Sequence, residues 1–144
     1  MQTRNQKLAV DIFAKVSEFR GRFTDENDKV KKEHEAKVKL YGSLAHKLPV
    51  LIRQAGLAQA LAFVAARGRD TQKDLLAHLS LTVKKSEDGL LTRSREAKLG
   101  EYVQLTRETL AALTWYKRFA QSVLEVEAGE DVSADTTDNE TKGV

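Results

Sequence analysis

Apolar residues recur at spacings of three to five along almost the whole chain, and a single proline, Pro49, breaks the pattern. That combination points to helices throughout, because strands would need sustained alternation and no segment supplies it. The interruption falls in "LAHKLPVLIRQAGLAQALAFVAARG", residues 44–68, which is rich enough in Ala and Leu to form one long helix. Pro49 has no amide hydrogen and its ring clashes with the preceding turn, so it should end one helix and open another. "PVLIRQA" then reads as a short helix that Gly56 closes in a left-handed conformation, and "LAQALAFVAAR" as a second that stops at Gly68. Two short helices fill a core that one long rod would leave open.

The flanking segments follow the same period. Leu8, Ile12, Phe13, Val16, Phe19 and Phe23 form one stripe of a first helix, with Thr3 as N-cap and an end near Gly21. A second helix is expected from Asp25 or Asn27 to Leu48, its thinly apolar N-terminal half projecting from the body. Asp70 or Thr71 caps the helix "QKDLLAHLSLTVKK", in which Leu75, Leu76, Leu79 and Val83 face inward. "KKSEDGLLTRSREAKLG" reads as a loop or a broken helix, and "EYVQLTRETLAALTWYKRFAQSVLEVE" as a long last helix that is either central or at a partner interface. The fold class is therefore all-α: a compact single-domain bundle of about five to seven helices over 1–127. Residues 128–144, acidic and without aromatics, are expected to be a disordered tail.

Charge is distributed unevenly along the 144 residues. Residues 1–122 carry 23 Lys and Arg against 14 Asp and Glu, whereas 123–144 carry one Lys against seven acids. A basic body suits either a polyanionic partner or simple solvation. The absence of cysteine excludes disulfides, thiolate metal sites and a cysteine nucleophile, and fits a cytoplasmic setting. The longest uncharged run, Gln54 to Ala66, falls short of the roughly 20 apolar residues of a membrane span, and charges at Arg4, Lys7, Asp11 and Lys15 argue against a signal peptide.

No active site is expected. Glu33, His34 and Glu35 are adjacent and point in different directions on a helix, so they cannot share a metal ion. Asp74 and His78 share a helical face but read as a surface pair, and Ser43, Ser80 and Ser94 lack a nucleophile elbow. No Gly-rich phosphate loop is present, and no cofactor or metal is expected.

"YGSLAHKLPVLIRQAGLAQALAFV" (Tyr41–Val64) resembles the tyrosine, Leu-Pro, Ile-Arg, Gly-Leu and Leu-Ala-Phe pattern of the small α-helical subunit of type III-B (Cmr) CRISPR RNA-targeting effector complexes. "YVQLTRETLAALTWYKRFAQSVL" (Tyr102–Leu124) is similar to that family's C-terminal helix, and together the two stretches cover about a third of the chain. Ala55 departs from the pattern, which favours a polar residue, often Asn, before the glycine. The resemblance implies a non-catalytic subunit of an antiviral ribonucleoprotein. Copies would stack along a filament of backbone subunits beside guide and target RNA and join a large polymerase-like subunit at one end. Guide pairing then reads sequence while protein contacts go to backbone and shape.

Arg4, Lys7, Lys15, Lys39, Lys47, Arg53, Arg67, Arg107, Lys117 and Arg118 lie on or beside apolar stripes, so some must cluster once the helices pack; Lys47, Arg53, Arg67, Arg107, Lys117 and Arg118 are the candidate RNA contacts. Lys117 and Arg118 in "WYKRFA" lead, since cations beside aromatics can pair with phosphate while rings stack on bases. Trp115 and Phe119 favour a core or a subunit interface over base stacking, given how aromatics bury. The alternatives are a helical module that meets only protein, and an RNA-directed nuclease.

Overall fold

The computed structural model describes residues 1–129 except 85 and 87, and among them it contains six α-helices and no strand. They are α1 (Arg4–Gly21), α2 (Glu35–Ala55), α3 (Leu57–Arg67), α4 (Asp70–Lys84), α5 (Gly89–Glu96) and α6 (Leu99–Ser122). The expected tail lies outside the described residues apart from Ala128 and Gly129.

Helix α1 begins as the sequence indicates. The Thr3 hydroxyl accepts from the Gln6 amide, and the Gln6 side chain accepts in return from the Thr3 amide, a complete capping box. Its buried face is Ile12, Val16 and Phe19. The next segment departs from expectation. Residues 22–31 form a loop in which Asp25 Oδ1 accepts from the Asn27 and Lys29 amides, Thr24 and Val30 make an isolated antiparallel bridge, and Asp28 adopts a φ of 60°. The carboxylate at Asp25 thus folds a turn around itself instead of capping a helix. A 3-10 turn over Lys32–His34 leads into α2. The segment does not project freely: Val30 packs against the core, Asp28 pairs with Arg20 of α1 at 2.9 Å, and the His34 ring lies 5.3 Å from that of Phe23.

Pro49 does not end α2, which continues through it to Ala55. Tyr41, Leu44, Ala45, Leu48 and Ile52 are buried and keep a helical period across the proline. An interior proline costs about 3 kcal/mol. Burying Ile52, worth roughly 1.5–3 kcal/mol, and packing the half-buried Leu51 against the core offset that and favour a continuing helix. The break comes at Gly56, whose φ of 90° and ψ of 158° lie in a region nearly exclusive to glycine rather than in the left-handed helical region.

The uncertain stretch after α4 resolves into α5. Ser80, buried in α4, donates to the Ser86 carbonyl and accepts from the Leu90 amide, which fixes the start of that helix. Arg93 forks onto Glu101 and ties α5 to the first turn of α6. Helix α6 is central, packing on α1, α2, α4 and α5, with Leu105, Leu113 and Tyr116 in the core. It stops at Ser122 rather than continuing to Glu127. Glu125 takes a φ of 58°, and Val126 returns to α2, where Gly42 lies beneath it and His46 Nε2 meets the Val126 carbonyl at 2.8 Å.

Candidate nucleic-acid interface

Positions 107, 111, 114 and 118 follow the spacing of one helical stripe, so Arg107, Ala111, Thr114 and Arg118 lie along one exposed face of α6. Lys117 lies about 100° around the helix from Arg118. All three cations are exposed. Arg107 and Lys117 make no ion pair among the described residues, while Arg118 sits over the Trp115 ring at 5.0 Å.

Trp115 and Phe119 are half-buried and pack against the core, so they serve packing on one side and face outward on the other. Their rings are 5.7 Å apart and 22° from parallel, and Phe13 of α1 meets Phe119 edge-on at 5.3 Å. The indole Nε1 donates to Asn5 Oδ1 at 3.0 Å, which pins the aromatic cluster to the start of α1.

Arg107 also lines a groove of about 640 Å³ between α1, α4 and α6, together with Arg4 and Lys7. Sequence reasoning did not include Arg4 and Lys7 among its candidates. Only the packing of α1 on α6 brings them to Arg107, and no local pattern signals that contact.

The other three candidates lie on α2 and α3, and none lines this groove. Arg53 and Arg67 occupy the last turns of α2 and α3, where a cation complements the helix dipole. Lys47 is exposed on α2. A second groove of about 430 Å³, beside α2 and α4, contains Arg22, Lys37 and Arg69, but Asp70 and Asp74 share it and Asp74 already pairs with Arg22.

Asp74, His78, Ser80 and Ser94 all have structural partners. Asp74 and His78 are not a surface pair: Asp74 binds Arg22, and His78 Nδ1 lies 2.8 Å from the Tyr41 hydroxyl in a partly buried contact. Ser80 and Ser94 donate to backbone carbonyls, and Ser43 Oγ is buried. Among the described residues no three His or carboxylate groups converge as metal ligands, and no helix is long and apolar enough to cross a membrane.

Known proteins extend this picture. A family model described as "CRISPR-associated protein (Cas_Cmr5)" matches residues 4–123. A curated protein of Thermus thermophilus named "CRISPR system Cmr subunit Cmr5" is 50% identical over 86 residues, which span 59% of this chain and 75% of that protein. A crystal structure of a CRISPR-associated Cmr5 family protein, also from Thermus thermophilus, aligns with a TM-score of 0.69 and 40% identity over 88% of this chain and all of that one.

Proposed function

The chain belongs to the Cmr5 family and is a small subunit of the type III-B Cmr CRISPR complex, and from that premise we propose that it is a non-catalytic scaffold that contacts guide and target RNA through a basic face. Copies of it stack along the backbone subunits and meet the large polymerase-like subunit at one end, in the cytoplasm. One observation carries the RNA contact: Arg107, Lys117 and Arg118 are exposed on a single helix, beside the partly exposed Trp115 and Phe119. Cations so placed pair with phosphate, and the adjoining rings offer stacking surfaces. The contact is indifferent to sequence and weakens steeply with salt, since it is made to the backbone.

Charge reversal tests it. In the assembled complex, K117E/R118E should lower target-RNA retention in a filter-binding assay while the melting temperature of the subunit is unchanged. Unchanged retention would remove these two residues as contacts.

A protein-only role finds support on a different face, where Val50 of α2 and Phe63 of α3 remain 48% and 55% exposed. A variant V50E/F63E that loses co-purifying subunits, combined with K117E/R118E that retains full RNA affinity, would favour that reading.

A further inference from the structure

We propose that the groove between α1, α4 and α6 is a binding site for an unpaired segment of RNA, its phosphates held by Arg4, Lys7 and Arg107 and a base laid on Leu8, Val83 and Ala111. The inference rests on the reading that this subunit contacts RNA, and adds where a strand is held and in what state of pairing.

Charge is the first support. The side chains of Arg4, Lys7 and Arg107 have no acidic partner among the described residues. Of the two carboxylates in the wall, Asp11 is paired with Lys15 at 2.6 Å, and Glu108, which accepts only from the neutral Gln104 amide at 2.9 Å, keeps its charge against the three cations. The uncompensated charge of the groove is therefore positive.

Helix energetics give a second, independent support. The first turn of α1 contains Arg4 and Lys7 and no acid, the reverse of what the helix dipole favours. These cations oppose the stability of the helix that displays them. A solvated surface gives no reason for that arrangement, whereas an anionic ligand does.

The lining selects the kind of anion. A groove of about 640 Å³ falls in the range of small-molecule pockets and can take a nucleotide. A duplex presents phosphates and sugars while its bases stay paired, so it satisfies the cations and leaves the apolar floor empty. A peptide of acidic residues alone does the same. An unpaired strand meets both. Asn5 extends the lining towards Trp115, and with its Oδ1 taken by the indole, its amide nitrogen keeps both hydrogens for a ligand.

Trp115 is the one tryptophan of the chain, so intrinsic fluorescence of the full-length protein reports from the end of this groove. We would titrate the protein at low salt with a single-stranded RNA oligonucleotide, the same strand annealed to its complement, heparin, and an acidic peptide. The expected result is a saturable change in emission with the single strand, at an affinity several-fold above that for the duplex. R4E/K7E and, separately, R107E should weaken single-strand binding about tenfold. R4E/K7E should leave the melting temperature unchanged or raise it, a combination that a merely structural role would not produce.

Equal affinity for single strand and duplex, or the same emission change with heparin, would overturn the proposal in favour of a general polyanion surface. An acidic peptide binding as tightly as the RNA would overturn it in favour of a protein partner. The contact assigned to Lys117 and Arg118 fails separately, when K117E/R118E leaves target retention in the assembled complex intact.

Discussion

Tyr41 shows how one buried side chain organises its neighbours. Its ring stacks on Phe19 with centroids 3.9 Å apart, and its hydroxyl lies 2.8 Å from His78 Nδ1. Burial, with smaller contributions from Tyr116 and Asp74, holds that hydroxyl well above the ordinary tyrosine value, so it stays protonated and donates to the imidazole. The ring proton of neutral His78 then belongs on Nε2. His78 itself is pushed below its ordinary value, first by burial, with Arg22 and Lys15 adding to the shift and Asp74 and Glu18 opposing it. A depressed folded-state value means that protonation favours the unfolded chain. The associated stability is present above the unfolded histidine value of about 6.5 and declines as pH falls through the lower folded value. The melting temperature should therefore drop between pH 7 and pH 5, and H78Q, which keeps an acceptor without titrating, should flatten that slope; an equal slope in the variant would assign the effect to other groups. Gly42 makes a second residue-scale case. A Cβ there would lie 2.7 Å from Val126 Cβ, so G42A must displace the returning C-terminal segment. Overpacking of this kind costs about 1–3 kcal/mol, measurable as a lowered urea midpoint.

At the scale of elements, the junction of α2 and α3 shows why local punctuation was misread. Pro49 is the stronger breaker by propensity, yet it lies within α2, and Gly56 alone separates the helices. The Gly56 amide donates to the Ile52 carbonyl at 2.8 Å, closing α2, and its carbonyl accepts from the Ala60 amide at 3.1 Å, opening α3. Neither Ala55 nor Gly56 can offer a side chain to the first turn of α3. The Tyr102 hydroxyl, supplied by α6, accepts from the Ala58 amide at 3.1 Å instead. That contact answers the departure at Ala55, because a cap from another helix stands where a neighbouring polar side chain could have served. Y102F removes the acceptor and leaves an amide short of its partner, which should cost about 1 kcal/mol in denaturant unfolding. No loss would mean that water satisfies the amide. Thr3 and Gln6, by contrast, form their cap within four residues, and that helix start was legible directly.

For the whole molecule, the distribution of charge sets the remaining prediction. The acids from Glu130 onward read as a solvating extension, so a chain ending at Glu127 should bind RNA with unchanged affinity in the fluorescence titration. Tighter binding by the shortened chain would show that the acidic segment covers the basic face. The all-helical class was readable because period and composition are local properties: Ile12, Val16 and Phe19, or Leu75 and Leu79, recur at helical spacing and are buried. The stretches Tyr41–Val64 and Tyr102–Leu124 carry the family resemblance for the same reason, as contiguous residues. Lys117 and Arg118 could be singled out beside Trp115 because they are its sequence neighbours. The positions read differently from sequence depend on tertiary partners: α2 passes through Pro49 to bury Ile52, and Asp74 and His78 meet Arg22 and Tyr41 from elsewhere in the chain. The groove is the extreme case, since Asn5 and Trp115 are 110 residues apart. The sequence by itself determined helices, caps and a basic body, which follow from neighbours along the chain. Tertiary structure decided which cations meet, because only the packing of α1 on α6 brings Arg4 and Lys7 beside Arg107.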